Sequence, residues 1–427
     1  MVRTEAKAES GLAPLRAGGT ARPLMKTILA LTIGLRLAIV WLVLFRYPHG
    51  WMFRSQGELG FLAESLRMGH GLSSPFGGTT GPTAFLAPGY PAVIAAIFFL
   101  FGSFTQAAAA AVLLLQTLFC VLTVFLIVRV AYAQFGAATA NVAGIFWAVG
   151  IPFLWLPAVF WETSLSILLL IGAIALALYC ARAPSLAKWV ILGVYCGLML
   201  LVNPSFLLTL FAIFGWVLYT TRSQPRFGPW LGFVVLLLVF APWPIRNARV
   251  LHAYIPLRSN LGFELWKGNR PGATSIDDPS LYPATNPKEY AAYASEGEVA
   301  FMKGKFTEAT AYIEAHPAEF LRLDAVRFVR YWTGTGNASV LLALPFMVTT
   351  VLGFVGLGLL WREKRRSVAV LFLLPLLLFP LPYYLTHAEL RFRMLVEPIT
   401  TMLAAYAVVQ GWAYVRERRS VLITNGG

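Results

Sequence analysis

The sequence predicts an all-α protein that crosses a membrane repeatedly, with about eleven transmembrane helices. Mean hydropathy is +0.69 over 427 residues, and 58% of residues are hydrophobic against 12% charged, which excludes an ordinary soluble globular chain. Apolar runs such as "AAAAAVLLLQTLFCVLTVFLIV" and "LLALPFMVTTVLGFVGLGLLW" reach the ~20 residues that a helix needs to span a bilayer. In lipid each backbone N–H and C=O must be paired within its own segment, so runs this long are helices and not barrel strands.

In chain order, residues 1–24 form a basic, Gly- and Ala-rich tail that reads as disordered and cytoplasmic. The apolar run after it exceeds a signal-peptide core and no small-residue cleavage site follows, so it reads as a retained span. The expected spans are 25–45, 89–104, 107–131, 139–158, 163–181, 187–202, 206–221, 229–244, 339–361, 368–385 and 394–415. Residues 25–245 then form one transmembrane module that includes a first outer loop, 46–88. Residues 246–338 form an outer, periplasmic loop domain of ~90 residues, long enough to carry its own helices. Residues 339–415 are C-terminal spans, and 416–427 a cytoplasmic tail. In the long loop, the stretch from Pro287 to Trp332 has the periodicity of two or three amphipathic helices.

A net charge of +15 fits basic cytoplasmic loops beside anionic headgroups better than nucleic-acid binding. "WREKRR" and the terminal "VRERR" are the basic anchors. Tracing from them puts the long loop, "VFWETS" and the opening of "HAELRFR" on the outer face. One conflict follows. Three expected spans separate the first outer loop from Glu162, which would put Glu162 inside; either 89–104 does not fully cross, or a span is miscounted. The three cysteines, Cys120, Cys180 and Cys196, lie in apolar runs without disulfide or zinc spacing, and no HExxH is present. No cofactor is indicated. Carboxylates can recruit a divalent metal, but no metal site is called for.

Ten of the 19 acidic residues lie in the long loop, and five stand beside apolar segments: Glu58, Glu64, Glu162, Glu389 and Glu397. A carboxylate at membrane depth costs a few kcal/mol unless paired or hydrated, so such positions are functional candidates. Glu58 opens a helical pattern in the first loop, where it is either a reacting carboxylate or a charge favouring the helix dipole. Glu64 reads as a solvated or paired helix residue, and His70, between two glycines, as a turn residue. Glu162 also opens a helix, with the same two readings. "GTTGPTAFLAPGYP" is non-helical backbone, tolerated near a membrane only where protein buries it or it lines a cavity. In "HAELRFR", His387, Glu389, Arg391 and Arg393 are either snorkelling anchors or a phosphate grip; guanidinium suits bidentate phosphate binding. "APWPIRNARVLHAYIPLRSNLGFELWKGNRPGAT" supplies Arg246, Asn247, Arg249, Asn260, Glu264, Trp266 and Asn269 near the membrane, a set that suits a sugar, although an interfacial aromatic belt also explains Trp266.

From Ile28 to Val415 the chain resembles membrane glycosyltransferases of the GT-C type, in the bacterial branch related to protein O-mannosyltransferases and aminoarabinose transferases of lipid A. The carrying motifs are "GELGFLAESLRMGHGLSSPFGGTTGPTAFLAPGYP", "FWETSLS", "APWPIRNARVLHAYIPLRSNLGFELWKGN", "AHPAEF" and "THAELRFRMLVEP". The resemblance implies a polyprenyl-phosphate-sugar donor, an acidic residue of the first outer loop at the reacting centre, and transfer at the outer face of a cell membrane without a nucleotide sugar. Glu58 stands where the family places that acid. The commoner pattern there is an Asp or an acidic pair, so Glu162 can share the role.

The expected function is transfer of a sugar from a polyprenyl phosphate to a lipid, glycan or protein acceptor. Glu58 and Glu162 are the expected catalytic residues. Arg391, Arg393, Arg246 and His387 are expected on the donor phosphate. Tyr90, Asn247, Glu264, Trp266, Asn269 and Glu389 are expected at the sugar or acceptor. The rivals are a lipid-linked sugar flippase, for which inverted repeats and mid-span charges would be expected, and a scaffold that uses the long loop for binding.

Overall fold

The computed structural model describes residues 22–47, 57–223, 227–335 and 339–425. The tail expected to be disordered falls outside these up to residue 21. Among the described residues the chain is helical, with a single isolated β-bridge between Ser73 and Pro82. The helices are α1 Met25–Arg46, α2 Gly57–Arg67, α3 Gly89–Phe101, α4 Gln106–Phe135, α5 Ala137–Val149, α6 Thr163–Arg182, α7 Leu186–Val202, α8 Leu207–Thr220 and α9 Phe227–Phe240. There follow α10 Pro242–Leu251, α11 Leu261–Gly268, α12 Pro287–Glu296, α13 Glu298–Ala315, α14 Pro317–Thr333, α15 Val340–Arg362, α16 Arg366–Leu378, α17 Leu381–Leu385 and α18 Leu390–Asn425. Seven segments are long and apolar enough to cross a membrane: α1, α4, α6, α9 continued by α10, α15, α16 continued to Leu385, and α18 as far as Ser420. Four shorter apolar helices occupy the remaining expected spans. The three amphipathic helices of the long loop are α12, α13 and α14.

The sidedness conflict resolves at α3. Its 13 residues measure about 20 Å, short of a ~30 Å hydrocarbon core. Both of its ends lie beside the first loop or its neighbours. Gly89 abuts the backbone of Leu201 at the end of α7, and at the other end Phe104 packs on Gly60 while the Ser103 hydroxyl donates to Glu64. A straight helix with both ends at one face does not cross. Glu58 and Glu162 therefore sit at the same end of the bundle, and they line one cavity.

Close helix packing in the bundle rests on small residues, as expected where lipid supplies no hydrophobic drive between helices. A Cβ at Gly193 would lie 2.2 Å from the Gly232 carbonyl, and one at Gly356 would lie 2.1 Å from that of Leu403. These positions let α7 approach α9, and α15 approach α18. Arg36, fully buried in α1, donates to the carbonyls of Trp147 and Ala148 at 3.0 Å each, and so satisfies groups left open where α5 ends.

At the site-bearing end, the long loop fastens the non-helical run of the first loop. Arg246 donates to the carbonyls of Thr83 (2.6 Å) and Leu72 (2.8 Å), and Arg258 to that of Phe85 (2.9 Å). The buried Glu298 carboxylate accepts from the Thr83 hydroxyl, from Ala84 N–H at 2.7 Å and from Tyr293 at 2.7 Å. Irregular backbone near the bundle is thus buried in protein and paired.

Candidate active site

The α2 N-terminus, the turn before α6, the turn between α7 and α8, the loop into α11 and the turn into α18 converge on a cavity of about 340 Å3. That lies in the range of small-molecule sites. Its polar wall holds Glu58, Glu162, Asn203, Arg258, Asn260, Glu264, Tyr282, Tyr383, His387 and Arg391. Its apolar wall holds Leu207, Leu208, Leu261, Phe392 and Leu395. Leu208 and Leu261 are exposed, so the apolar side opens outward from the bundle.

Glu58 is 7% exposed in the first turn of α2. Burial raises its pKa from the ordinary value, opposed by a backbone N–H and by the charges of Lys267 and Arg391. A carboxyl pushed up in this way holds a proton more tightly than a free one, which suits a group that takes up a proton during reaction. Glu162 stands immediately before α6, next to Trp161. Arg391 is held by Glu389 and lies 4.7 Å over the Trp161 ring, so its guanidinium is fixed in place before any ligand arrives.

Behind this wall lies a charged cluster. The Lys267 ammonium, 1% exposed, bridges Glu264 at 2.9 Å and Asp277 at 2.8 Å, and donates to the Tyr282 hydroxyl. Burial works against every charge here. For Lys267 the two carboxylates outweigh it and its pKa rises. For Glu264 and Asp277, Lys267 and then His387 outweigh it, and both stay below the ordinary carboxylate range. His387 is pushed down by burial first and by Lys267 second, which favours the neutral ring.

The fold brings together Glu58, Glu162, Glu264, His387 and Arg391 as the sequence led us to expect, but it moves other expected residues away. Arg393 is fully buried inside α18, where it pairs with Glu397 at 2.6 Å; it faces the bundle and not the cavity. The spacing of two between Arg391 and Arg393 would align them on a strand, but on a helix it separates them by about 200°. Arg246 and Asn247 are spent on backbone carbonyls of the two loops, Asn247 donating to Ile255 at 3.0 Å. Trp266 is off the cavity; it stacks on Phe263 and carries the Lys305 ammonium 3.7 Å from its centre. Asn269 braces the turn before α18 by donating to Leu385 at 2.8 Å. Tyr90 is buried and off the cavity wall, and Glu389 acts through Arg391.

Asn260, expected near the membrane, does line the cavity; sequence reasoning missed Arg258, Asn203, Tyr282 and Tyr383 on the wall, and Lys267 and Asp277 behind it. The buried Arg327 was missed as well. It donates to Gly268 and Tyr384 carbonyls and pairs with Asp324 at 2.9 Å, tying α14 to the same turn as Asn269. Lys267 was assigned no role from the sequence, and Arg327 lay in a stretch read only as amphipathic helices. Ligand atoms of Asp277, His387 and Glu389 all lie within 4.8 Å of one another, a grouping that sequence reasoning did not single out.

Fold and site together define a polytopic membrane protein with the GT-C glycosyltransferase fold. Residues 86–245 match the family model described as dolichyl-phosphate-mannose-protein mannosyltransferase. The chain is similar to the Archaeoglobus fulgidus oligosaccharyltransferase AglB, solved with an inhibitory peptide and a dolichol-phosphate. That alignment has 15% identity and a TM-score of 0.51, and covers 94% of this chain and 52% of AglB. The A. fulgidus oligosaccharyltransferase solved with Zn and sulfate gives 14% identity, a TM-score of 0.53, and coverage of 94% and 51%. ArnT from Cupriavidus metallidurans bound to undecaprenyl phosphate aligns at 16% identity with a TM-score of 0.38, over 88% of this chain and 77% of ArnT. The chain spans about half the length of the oligosaccharyltransferases it matches. No curated protein sequence matches it.

Proposed function

We propose that the chain transfers a sugar from a polyprenyl phosphate to an acceptor hydroxyl or amine, at the outer face of a bacterial inner membrane, with residues 246–338 as its periplasmic loop domain. The observation that supports this best is the cavity itself, where a buried carboxylate and a fixed guanidinium face one space with an exposed apolar side. The matched family model and the dolichol-phosphate in the AglB structure support the donor class.

In this reading the lipid tail lies against Leu207, Leu208 and Leu395. The donor phosphate meets Arg391, as the sequence led us to expect, and Arg258, in place of Arg393 and Arg246. The sugar lies among Asn203, Asn260, Tyr282 and Tyr383. The acceptor's O–H or N–H points at Glu58. As the acceptor heteroatom bonds to the anomeric carbon, the bond from that carbon to the phosphate oxygen breaks, the phosphate leaves with the electron pair, and Glu58 takes the proton. Arg391 stabilises charge that grows on the departing phosphate; held by Glu389 and Trp161, it has little reorganisation to undergo. Glu162 lies on the same wall and orients the acceptor or shares the proton.

The test is release of free polyprenyl phosphate, followed by mass spectrometry, from purified protein in lipid given a mixture of polyprenyl-phosphate sugars and a cell-envelope extract. Release by the wild type and not by Glu58→Gln supports the reading, and the donor consumed names the sugar. Equal release by both removes Glu58 and points to Glu162. No release by folded wild type favours translocation of the lipid-linked sugar without transfer.

A further inference from the structure

The wall behind Glu58 is short of positive charge. Glu58, Glu264, Asp277 and Glu389 surround the Tyr282 phenol, and their fixed counter-charges are Lys267 and Arg391. Four carboxylates thus stand against two fixed cations there. Removing several charges from water is tolerated only where they are compensated.

His387 marks where the compensation belongs. Its ring is 4% exposed, and neither ring nitrogen has a hydrogen-bond partner. Buried imidazoles ordinarily find a partner for each nitrogen. Here Nε2 stands 3.8 Å from an Asp277 oxygen and 4.0 Å from a Glu389 oxygen. Those separations are too long for hydrogen bonds. Ligands that share one ion at about 2.0–2.2 Å in tetrahedral geometry lie roughly 3.3–3.6 Å apart, so these side chains would draw together slightly to share one. Protonating Glu58 would cancel one charge and leave His387 unpartnered; a divalent ion cancels two and gives the imidazole its bond.

We infer that Asp277, His387 and Glu389 bind one divalent transition-metal ion beside the cavity. One imidazole nitrogen with two carboxylates suits Zn2+ or Mn2+, whereas all-oxygen sets are the rule for Mg2+ and Ca2+. Lys267 takes one oxygen of Asp277, and a carboxylate has lone pairs left for a second partner. The turn that carries His387 is held from both sides. Ala388 N–H donates to the Ser275 carbonyl at 2.9 Å, two residues from Asp277, and Asn269 and Arg327 brace Leu385. The ion would fix Glu389, and through it Arg391.

The test uses the full chain without a polyhistidine tag, in nanodiscs, stripped with chelator. It is equilibrated with one equivalent of Zn2+ or of Mn2+, desalted, and analysed for metal per chain by inductively coupled plasma mass spectrometry. The expected result is about one ion per wild-type chain, with affinity lowered roughly tenfold or more in His387→Ala and Asp277→Asn. The exposed Glu319→Gln serves as a control that keeps the ion. Should either ligand variant fail to give folded protein, Glu389→Gln provides the same comparison. No retained ion in the wild type, or retention by the ligand variants equal to the wild type, overturns the inference. Retention is read without any sugar donor, so failure of this site and failure of the transfer reading are separate results.

Discussion

Arg393 offers a sharp test, because its two readings predict opposite behaviour. The sequence suggested a phosphate ligand. The structure places a fully buried ion pair with Glu397 at 2.6 Å, surrounded by the hydroxyls of Thr350, Thr400 and Thr401. Arg393→Met removes one partner and leaves the other uncompensated, which costs about 3–5 kcal/mol for a buried pair. Arg393→Met with Glu397→Gln removes both charges and keeps acceptor and donor groups for Thr400 and Thr401. Replacing both partners of such a pair is near neutral, so the double variant should recover most of the loss. The coupling between the two changes should then exceed about 2 kcal/mol, at the upper end for contacting residues. Unfolding in detergent, measured for the wild type, both single variants and the double, gives that coupling. Donor KM, measured on the double variant, should stay within about twofold of wild type. A single Arg393→Met variant that is as stable as wild type but shows a raised donor KM would return Arg393 to the phosphate and refute the pairing argument.

Three further outcomes follow from the geometry. Glu58→Gln should lower turnover by about 10²–10⁴, the usual worth of a positioned general base, with donor KM little changed. Because burial raises the Glu58 pKa and a base works when unprotonated, wild-type turnover should fall as pH drops through a value above the ordinary carboxylate range, a limb that the pH–rate profile of Glu58→Gln should lack. Arg391→Lys keeps the charge but loses the planar fork that Glu389 and Trp161 hold, so donor KM should rise on the order of tenfold in a turnover titration. Glu298→Ala strips a buried acceptor from Thr83, Ala84 and Tyr293, so limited proteolysis should cut near residues 81–88 in the variant before it cuts wild type, with a stability loss of about 2–3 kcal/mol.

What could be read from the sequence follows from which physical signals are local. Apolar runs fix helices one segment at a time, so the spans were legible, including the suspicion that falls on 89–104 from its length. Cost at membrane depth is also local, and it singled out Glu58, Glu162 and Glu389 as positions to explain. Partnership is not local. Arg393 looked free because Glu397 is four residues away on a helix, while the pattern "HAELRFR" could equally be extended. Lys267 gave no signal because its partners, Asp277 at ten residues and Tyr282 at fifteen, come from a loop without periodicity. Arg258 carried no signal at all: its role depends on the Phe85 carbonyl that holds it and on a cavity assembled from seven separate stretches of the chain. A charge beside a membrane can therefore be recognised from sequence as one that must be compensated. Whether another side chain, a ligand phosphate or a metal ion compensates it depends on the fold, and in this chain the neighbouring Arg391 and Arg393 face different partners because they lie on a helix.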